Sequence, residues 1–176
     1  MPNYCGNELT VSGPSEELRR FKKYVKNAHA AEDDQKILDF STIIPVPQEG
    51  MSDYNLWGTR SNAWEVTIDS GRLRTGTNDT IFYTFDTAWS PPDEVIMKMI
   101  EIFPLLDFVF LYGEPGCCFS GKIEGSEGEV TFNDSGEYGE YYGESEDEEP
   151  EPEPVVLKKN KLGNFPHKKK LTVESR

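Results

Sequence analysis

The residue types that most often carry chemistry are few in this chain, and they are not spaced as in known reactive sites. The 176 residues include two histidines, His29 and His167, and three cysteines, Cys5, Cys117 and Cys118. No Cys-x-x-Cys and no His-x-x-x-His pair occurs, although zinc ligands are usually supplied in such pairs. The sequence therefore predicts neither a metal site nor a cofactor.

Nucleophilic catalysis also lacks a general base. His29 falls in the first helical segment and His167 near the C-terminus, so neither is placed beside a serine or cysteine. Cys117 and Cys118 alternate faces if the chain is extended there, and a buried, inert thiol is commoner than a nucleophile. The glycines of residues 113–121 lack the Lys-Ser/Thr pair of a phosphate-binding loop and are typical of turns. We predict no catalytic residue and do not favour an enzyme.

Two loops offer a binding site instead. In one interpretation, Asp86–Pro92 is purely structural: a strand ends, a tryptophan packs as a wedge, and a helix starts after the prolines. Each residue then has a local structural role. In the other interpretation, the helix N-terminus faces the Trp57 loop and forms a small polar pocket with aromatic walls for a ligand or partner. The candidate binding residues are Trp57, Gly58, Thr59, Arg60, Asp86, Thr87 and Trp89.

The charged residues divide the chain into three parts, within a formal net charge of −14. Residues 1–123 carry 18 acidic and 11 basic side chains, residues 124–154 carry 13 acidic and no basic ones, and residues 155–176 carry one acidic and seven basic ones. Glu144–Pro154 has several like charges, three prolines and no apolar residue, which favours an extended, solvated spacer.

We therefore predict a folded domain at residues 1–134, an acidic linker at 135–154 and a disordered basic tail at 155–176. The tail is either untethered, or a recognition motif for a partner or nucleic acid, or folded onto the acidic linker by charge attraction. Mean hydropathy is −0.62, and the chain shows neither a run of ~20 apolar residues nor a secretory signal. We expect a soluble cytoplasmic protein without a membrane segment.

The elements that would position the candidate residues follow from periodicity. A strand is predicted at 7–12, and a helix of roughly 14 residues then begins at Pro14. Its apolar stripe is Leu18, Phe21, Val25 and Ala28. Residues 37–46 are predicted as a second strand, because their apolar run is ended by Pro45 and Pro47.

The second half is predicted as a hairpin, a helix, a central strand and a closing hairpin. The first hairpin spans 63–69 and 80–86, with Trp64, Val66 and Ile68 on one face. A second helix follows Pro91, with an apolar stripe of Val95, Ile96, Met99, Ile100 and Phe103. A central strand at 105–112 and a hairpin at 119–123 and 129–132 complete the order. This order predicts an α+β fold of split βαβ type, in which two helices cover one face of an antiparallel sheet.

A nucleic-acid interface conflicts with the charge of the body. Some RNA-binding folds of this topology stack bases on sheet aromatics, as Trp64, Tyr83, Phe108 and Phe110 would allow. Residues 1–123 are net negative, however, so phosphates would be repelled. The opposite hypothesis is that the acidic surface and residues 137–153 imitate nucleic acid and occupy a basic groove on a host protein.

Four ordered motifs resemble a known family. They are Pro2–Cys5 with Leu9–Gly13, Trp57–Arg60, Phe85–Pro92, and Tyr112–Gly116 with Phe119 and Gly121. Together, over about residues 2–134, they are similar to the YubB-type, or Api92-like, family of phages, plasmids and mobile elements. The resemblance implies a ferredoxin-like fold, a name that describes shape and not an iron–sulfur cluster. The acidic linker and basic tail lie beyond it.

One departure from the family bears on function. The family motif usually continues from Trp-Gly-Thr with Lys, Trp, Asp and Ala, whereas Arg60, Ser61, Asn62 and Ala63 follow here. If that Asp were a catalytic acid, this chain would be inactive. The favoured hypothesis is a non-enzymatic phage or plasmid accessory protein whose ferredoxin-like body binds a host or phage protein, or a small ligand. The alternatives are an acidic anti-defence mimic of nucleic acid and an enzyme acting on a nucleotide-like substrate.

Overall fold

Among the described residues, six strands and two helices form the body of the protein. The computed structural model describes residues 3–26, 37–46, 56–69 and 78–142. The elements are β1 (Tyr4–Pro14), α1 (Ser15–Val25), a 3-10 turn (Phe40–Thr42), β2 (Trp64–Asp69), β3 (Asn78–Ala88), α2 (Asp93–Ile102), β4 (Asp107–Glu114), β5 (Phe119–Ser126) and β6 (Glu129–Glu137). All strand pairs are antiparallel, in the order β2-β3-β1-β4-β5-β6.

Both predicted helices form, and each buries the predicted stripe. Helix α1 carries acidic residues in its first turn and basic residues in its last turn, as the helix dipole favours. It begins one residue after Pro14, which is its N-cap. Ala28 lies outside the described residues. Helix α2 buries Val95, Ile96, Met99 and Ile100, and the buried Phe103 follows its last turn.

The core lies between the two helices and one face of the sheet. Phe21 of α1 meets Phe103, Phe108 and Tyr83 edge-on, with ring centroids 5.2, 5.8 and 6.1 Å away. Since aromatic pairs prefer edge-to-face contact, this cluster fixes α1 against the centre of the sheet. We call this sheet face the helix face and the opposite one the open face.

The prediction of a strand at 37–46 is wrong. The described residues there form the 3-10 turn, because Asp39 accepts a hydrogen bond at Oδ1 from the Ser41 backbone N–H at 2.9 Å and caps the turn. Leu38, Phe40 and Ile43 are buried, so the segment packs on the core without joining the sheet. The segment is apolar and buried, as predicted, but the hydrogen bond from Ser41 to Asp39 favours a turn over a strand.

The first hairpin forms as β2 and β3, but the face predicted for Trp64 is wrong. Pairing shifts between Trp64 and Thr67, and Glu65 adopts a φ of 50°. This bulge reverses the alternation, since one extra residue exchanges the two faces of a strand. Val66 and Ile68 pack on the core, whereas Trp64 lies on the open face opposite Asp86.

The sheet aromatics considered for base stacking are divided by the same alternation. Tyr83, Phe108 and Phe110 are buried on the helix face, with at most 1% of each exposed. They are therefore part of the core and unavailable to a nucleobase. Trp64 is the member of that set that lies on the open face.

The closing hairpin is longer than predicted, and the chain returns to the sheet after it. Strand β6 ends at Glu137, beyond the predicted domain limit at 134. The Tyr138 N–H donates to the Cys118 carbonyl at 3.1 Å, and the Tyr141 N–H donates to Ser120 Oγ at 3.2 Å. The predicted spacer at Glu144–Pro154 and the basic tail lie outside the described residues. Within the described ranges, no helix is long and apolar enough to cross a membrane.

Candidate functional site

The two candidate loops are joined by a set of hydrogen bonds. Thr59 Oγ1 donates to the Ala88 carbonyl at 3.1 Å, and Ser90 Oγ donates to the Gly58 carbonyl at 2.7 Å. The Ala88 N–H in turn donates to Ser61 Oγ at 3.0 Å. The contacts hold the loop before β2 against the end of β3, so Gly58, Thr59 and the Asp86–Pro92 segment are neighbours, as expected.

The polar side chains predicted to line a pocket are used inside the fold. Thr87 is fully buried; its hydroxyl donates to the Ser90 carbonyl at 2.9 Å and accepts from Asn7 Nδ2 at 3.0 Å. Trp57 is 5% exposed, and its indole N–H donates to the Ile44 carbonyl at 2.9 Å. Buried polar groups need such partners, so these side chains are committed to the fold. We call the hydrogen-bonded residues 57–61 and 87–90 the clamp.

Gly58 is required by the clamp. Its φ is 81°, and a β-carbon at this position would overlap the carboxylate of Asp93. Asp93 lies in the first turn of α2, where a negative charge is favoured. Burial raises the pKa of its carboxyl group. The sequence does not single out Asp93, whose only signal is its place two residues after Pro91.

Three candidate side chains, Trp89, Arg60 and Asp86, remain at least partly accessible. Trp89 is 42% exposed and has a φ of 72°, while its backbone N–H donates to the Asn3 carbonyl at 3.0 Å. Arg60 is exposed. Asp86 lies on the open face and the adjacent Thr87 on the helix face, so the two do not line one pocket.

The open face carries a trough where two glycines are paired across β1 and β4. The ring of Tyr142 lies over Gly6 and Gly113. A β-carbon on Gly6 would be 2.6 Å from Tyr142 Oη, and one on Gly113 would be 2.5 Å from Tyr142 Cδ1. Both glycines are therefore needed for this contact. Burial, together with the charges of Glu8 and Asp86, raises the pKa of Tyr142 to about 12.

The cysteines are placed differently from expectation. Cys117 and Cys118 lie exposed in the turn after β4, whereas Cys5 is buried and its burial raises the thiol pKa to about 12. Burial favours protonation of the Glu114 carboxyl, but hydrogen bonds from Cys117 and Gly116 outweigh it and lower its pKa. The carboxylate in turn raises the pKa of the Cys117 thiol, which disfavours the reactive thiolate.

An antiparallel sheet that is covered on one face by two helices is typical of a ferredoxin-like α+β domain. The open face of this sheet carries aromatic and acidic side chains. The chain belongs to the family described as the ferredoxin-like domain in Api92-like proteins, whose sequence profile matches residues 63–152. The resemblance to the Api92-like family is thus confirmed, but the match extends to residue 152, into the acidic linker that was expected to lie beyond it. The six strands exceed the simple split βαβ arrangement.

A solved structure shares this fold. It is the protein api92 from Yersinia pseudotuberculosis, with a TM-score of 0.60 and 11% sequence identity, and the match covers 79% of this chain and 99% of that chain. At this identity the likeness shows the fold alone. No curated protein matches the sequence.

Proposed function

We propose that this protein is a non-enzymatic accessory protein, encoded by a phage or plasmid, whose ferredoxin-like body binds a protein partner at the loop that carries Trp89. One observation supports this most directly. Trp89 leaves 42% of its surface exposed while its backbone is held in a left-handed conformation. Non-glycine residues adopt that conformation at a cost and keep it where the surroundings impose it, often at functional sites.

The clamp supplies those surroundings. The Trp89 N–H is bonded to Asn3, and the flanking Ala88 and Ser90 are bonded to the loop before β2. A tryptophan presented on a rigid loop loses little conformational entropy on binding, and tryptophan is enriched among residues that dominate interface energies. The side chain is therefore suited to anchor a partner.

The same clamp argues against the enzyme hypothesis at these loops. The hydroxyls of Thr59 and Thr87 donate to backbone carbonyls, and the Trp57 indole does the same. Groups that are committed to the fold cannot activate a substrate without breaking it. Turnover that is abolished by Asp86→Ala in a folded protein would overturn this part of the proposal.

The test is affinity capture from a lysate of the cells in which the gene is expressed. The bait is the full chain, the Trp89→Ala variant, or the matched control Leu105→Ala, which removes an apolar side chain that is 64% exposed after α2. We expect a partner retained by the full chain and by Leu105→Ala and lost, by at least tenfold, with Trp89→Ala.

A second bait separates the body from the tail. The chain ending at residue 143 keeps all of β6 and the Tyr142 contact, whereas a truncation at 134 would cut β6 short and remove Tyr142. A partner kept by this shorter chain places binding on the body. A partner that Trp89→Ala retains, or that is lost with residues 144–176, would contradict the proposal.

A further inference from the structure

We propose that the open face holds a recognition site for an arginine side chain of a protein partner, built from the Asp86 carboxylate and three surrounding aromatic rings. The rings are those of Tyr4, Trp64 and Tyr142, and we call the four residues the aromatic–acid site. The inference rests on the proposed function, because it names the chemistry that the partner presents to a surface other than the Trp89 loop.

Two of the rings, Trp64 on β2 and Tyr4 on β1, meet each other beside Asp86. Trp64 is paired directly with Asp86, and side chains paired in this way have β-carbons about 4.5–5.5 Å apart. The Tyr4 ring meets the Trp64 ring edge-on, with centroids 5.6 Å apart and an interplanar angle of 71°. Tyr4 is 52% exposed, so this aromatic pair is accessible to a partner.

The third ring lies over β1, across a gap from Asp86. The β1 residue paired with Asp86 is Gly6, which places no side chain between Asp86 and Tyr142. Tyr142 lies over Gly6, and its hydroxyl is near enough for the Asp86 charge to act on its ionisation. The carboxylate therefore stands between two aromatic walls.

The charges around the aromatic–acid site favour a cation. Asp86 is accompanied by Glu65 on β2 and Glu8 on β1, and burial and the Glu65 charge raise the pKa of Asp86. Among the described strand residues, Lys122 is the one basic side chain, and its ammonium group is paired with Glu124 at 2.5 Å. A phosphate would be repelled here, and an apolar group would cover the Asp86 carboxylate without supplying a compensating positive charge.

Arginine fits this surface better than lysine. Its planar guanidinium stacks on aromatic rings and presents two parallel N–H groups to one carboxylate, and it is less strongly hydrated than an ammonium group. The aromatic–acid site offers both features side by side. A basic segment with spaced arginines would therefore bind by stacking on Trp64 and pairing with Asp86.

The test uses the full chain and a fluorescein-labelled peptide, Gly-Ser-Arg-Ser-Arg-Ser-Gly, measured by fluorescence anisotropy at two salt concentrations. The same peptide with lysine in place of arginine is the ligand control. We expect tighter binding of the arginine peptide and about tenfold weakening by Asp86→Asn and by Trp64→Ala. Trp64→Phe should restore most of the affinity, because it keeps a ring.

Glu94→Gln is the matched charge control, since it removes one exposed carboxylate from α2. It should leave the affinity unchanged. Chemical shifts of the Trp64 indole and the Asp86 amide, followed during titration of the unmodified protein, locate the site without any variant and keep the test valid if a variant does not fold.

Several results would overturn the inference. They are equal weakening by Asp86→Asn and Glu94→Gln, shifts confined to other regions, no binding at millimolar peptide, or a dimer in sedimentation that covers the open face. If the peptide fails while a partner still depends on Trp89, the inference falls and the proposed function stands. If the peptide binds and no partner depends on Trp89, the Trp89 proposal falls instead.

Discussion

Asn62 departs from the aspartate that the family resemblance implies at this position, and its contacts show what the amide does here. Asn62 Nδ2 donates to Asp39 Oδ1 at 2.7 Å, and Asn62 Oδ1 accepts from the backbone N–H groups of Phe40 and Ala63 at 3.0 and 2.9 Å. Asp39 is 3% exposed. The amide thus supplies a donor to a buried carboxylate, which an aspartate cannot do.

At the residue scale we predict that Asn62→Asp destabilises the fold by about 2 kcal/mol at pH 7, because it replaces a hydrogen bond to a charge with two facing carboxylates. One folded-state pKa of the new pair would be raised above its unfolded value. The cost is therefore fully present above that raised pKa, shrinks as the pH falls below it, and is gone once the pH lies below the unfolded pKa.

Chemical denaturation at pH 7 and pH 5 measures this effect. Asn133→Asp, on the exposed strand β6, is the control and should change stability little at either pH. A loss at pH 7 that persists undiminished at low pH would show that repulsion is not the cause.

At the element scale, the trough on the open face depends on Gly6. We predict that Gly6→Ala costs about 1–3 kcal/mol of folding free energy, because the new methyl group meets Tyr142. In the Tyr142→Ala background the same change should cost much less, since its obstacle is gone. The measurement is a double-mutant cycle by denaturation, with Thr10→Ala on the same face as control. Additive effects would mean that Tyr142 does not occupy the trough in solution.

The helices and strands also show which parts of the fold can be predicted from the sequence. Both helices and both hairpins could be predicted, because their periodicities are long and their interruptions are prolines and glycines. The 3-10 turn at Phe40–Thr42 and the bulge at Glu65 could not, since each is decided by a local contact or backbone shift that periodicity does not encode. The clamp could be predicted in part. The sequence indicates its two loops, but it does not indicate that the Thr59 and Thr87 side chains face inward.

At the scale of the whole molecule, we predict that amide exchange follows strand order. Strands β1, β3 and β4 are paired on both sides and lie over the core, while β6 is an edge strand whose side chains are almost all exposed. The Leu9 and Phe110 amides should therefore exchange at least tenfold more slowly than those of β6, because edge strands open locally. Exchange measured by NMR checks this, and equal protection of β6 would contradict it.

The same strand order leaves two edges to which another sheet could add. Strand β2 has six residues and the bulge at Glu65, and β6 carries Glu129, Asp134 and Glu137. Short, bulged or charged edges resist strand addition by a neighbouring molecule. At β6 this protection depends on ionised carboxylates, and the isoelectric point of the sequence is about 4.5. Mild acid therefore weakens the charge protection of the β6 edge and leaves the bulged β2 edge unchanged, so storage well above that pH keeps both edges closed to a neighbouring sheet.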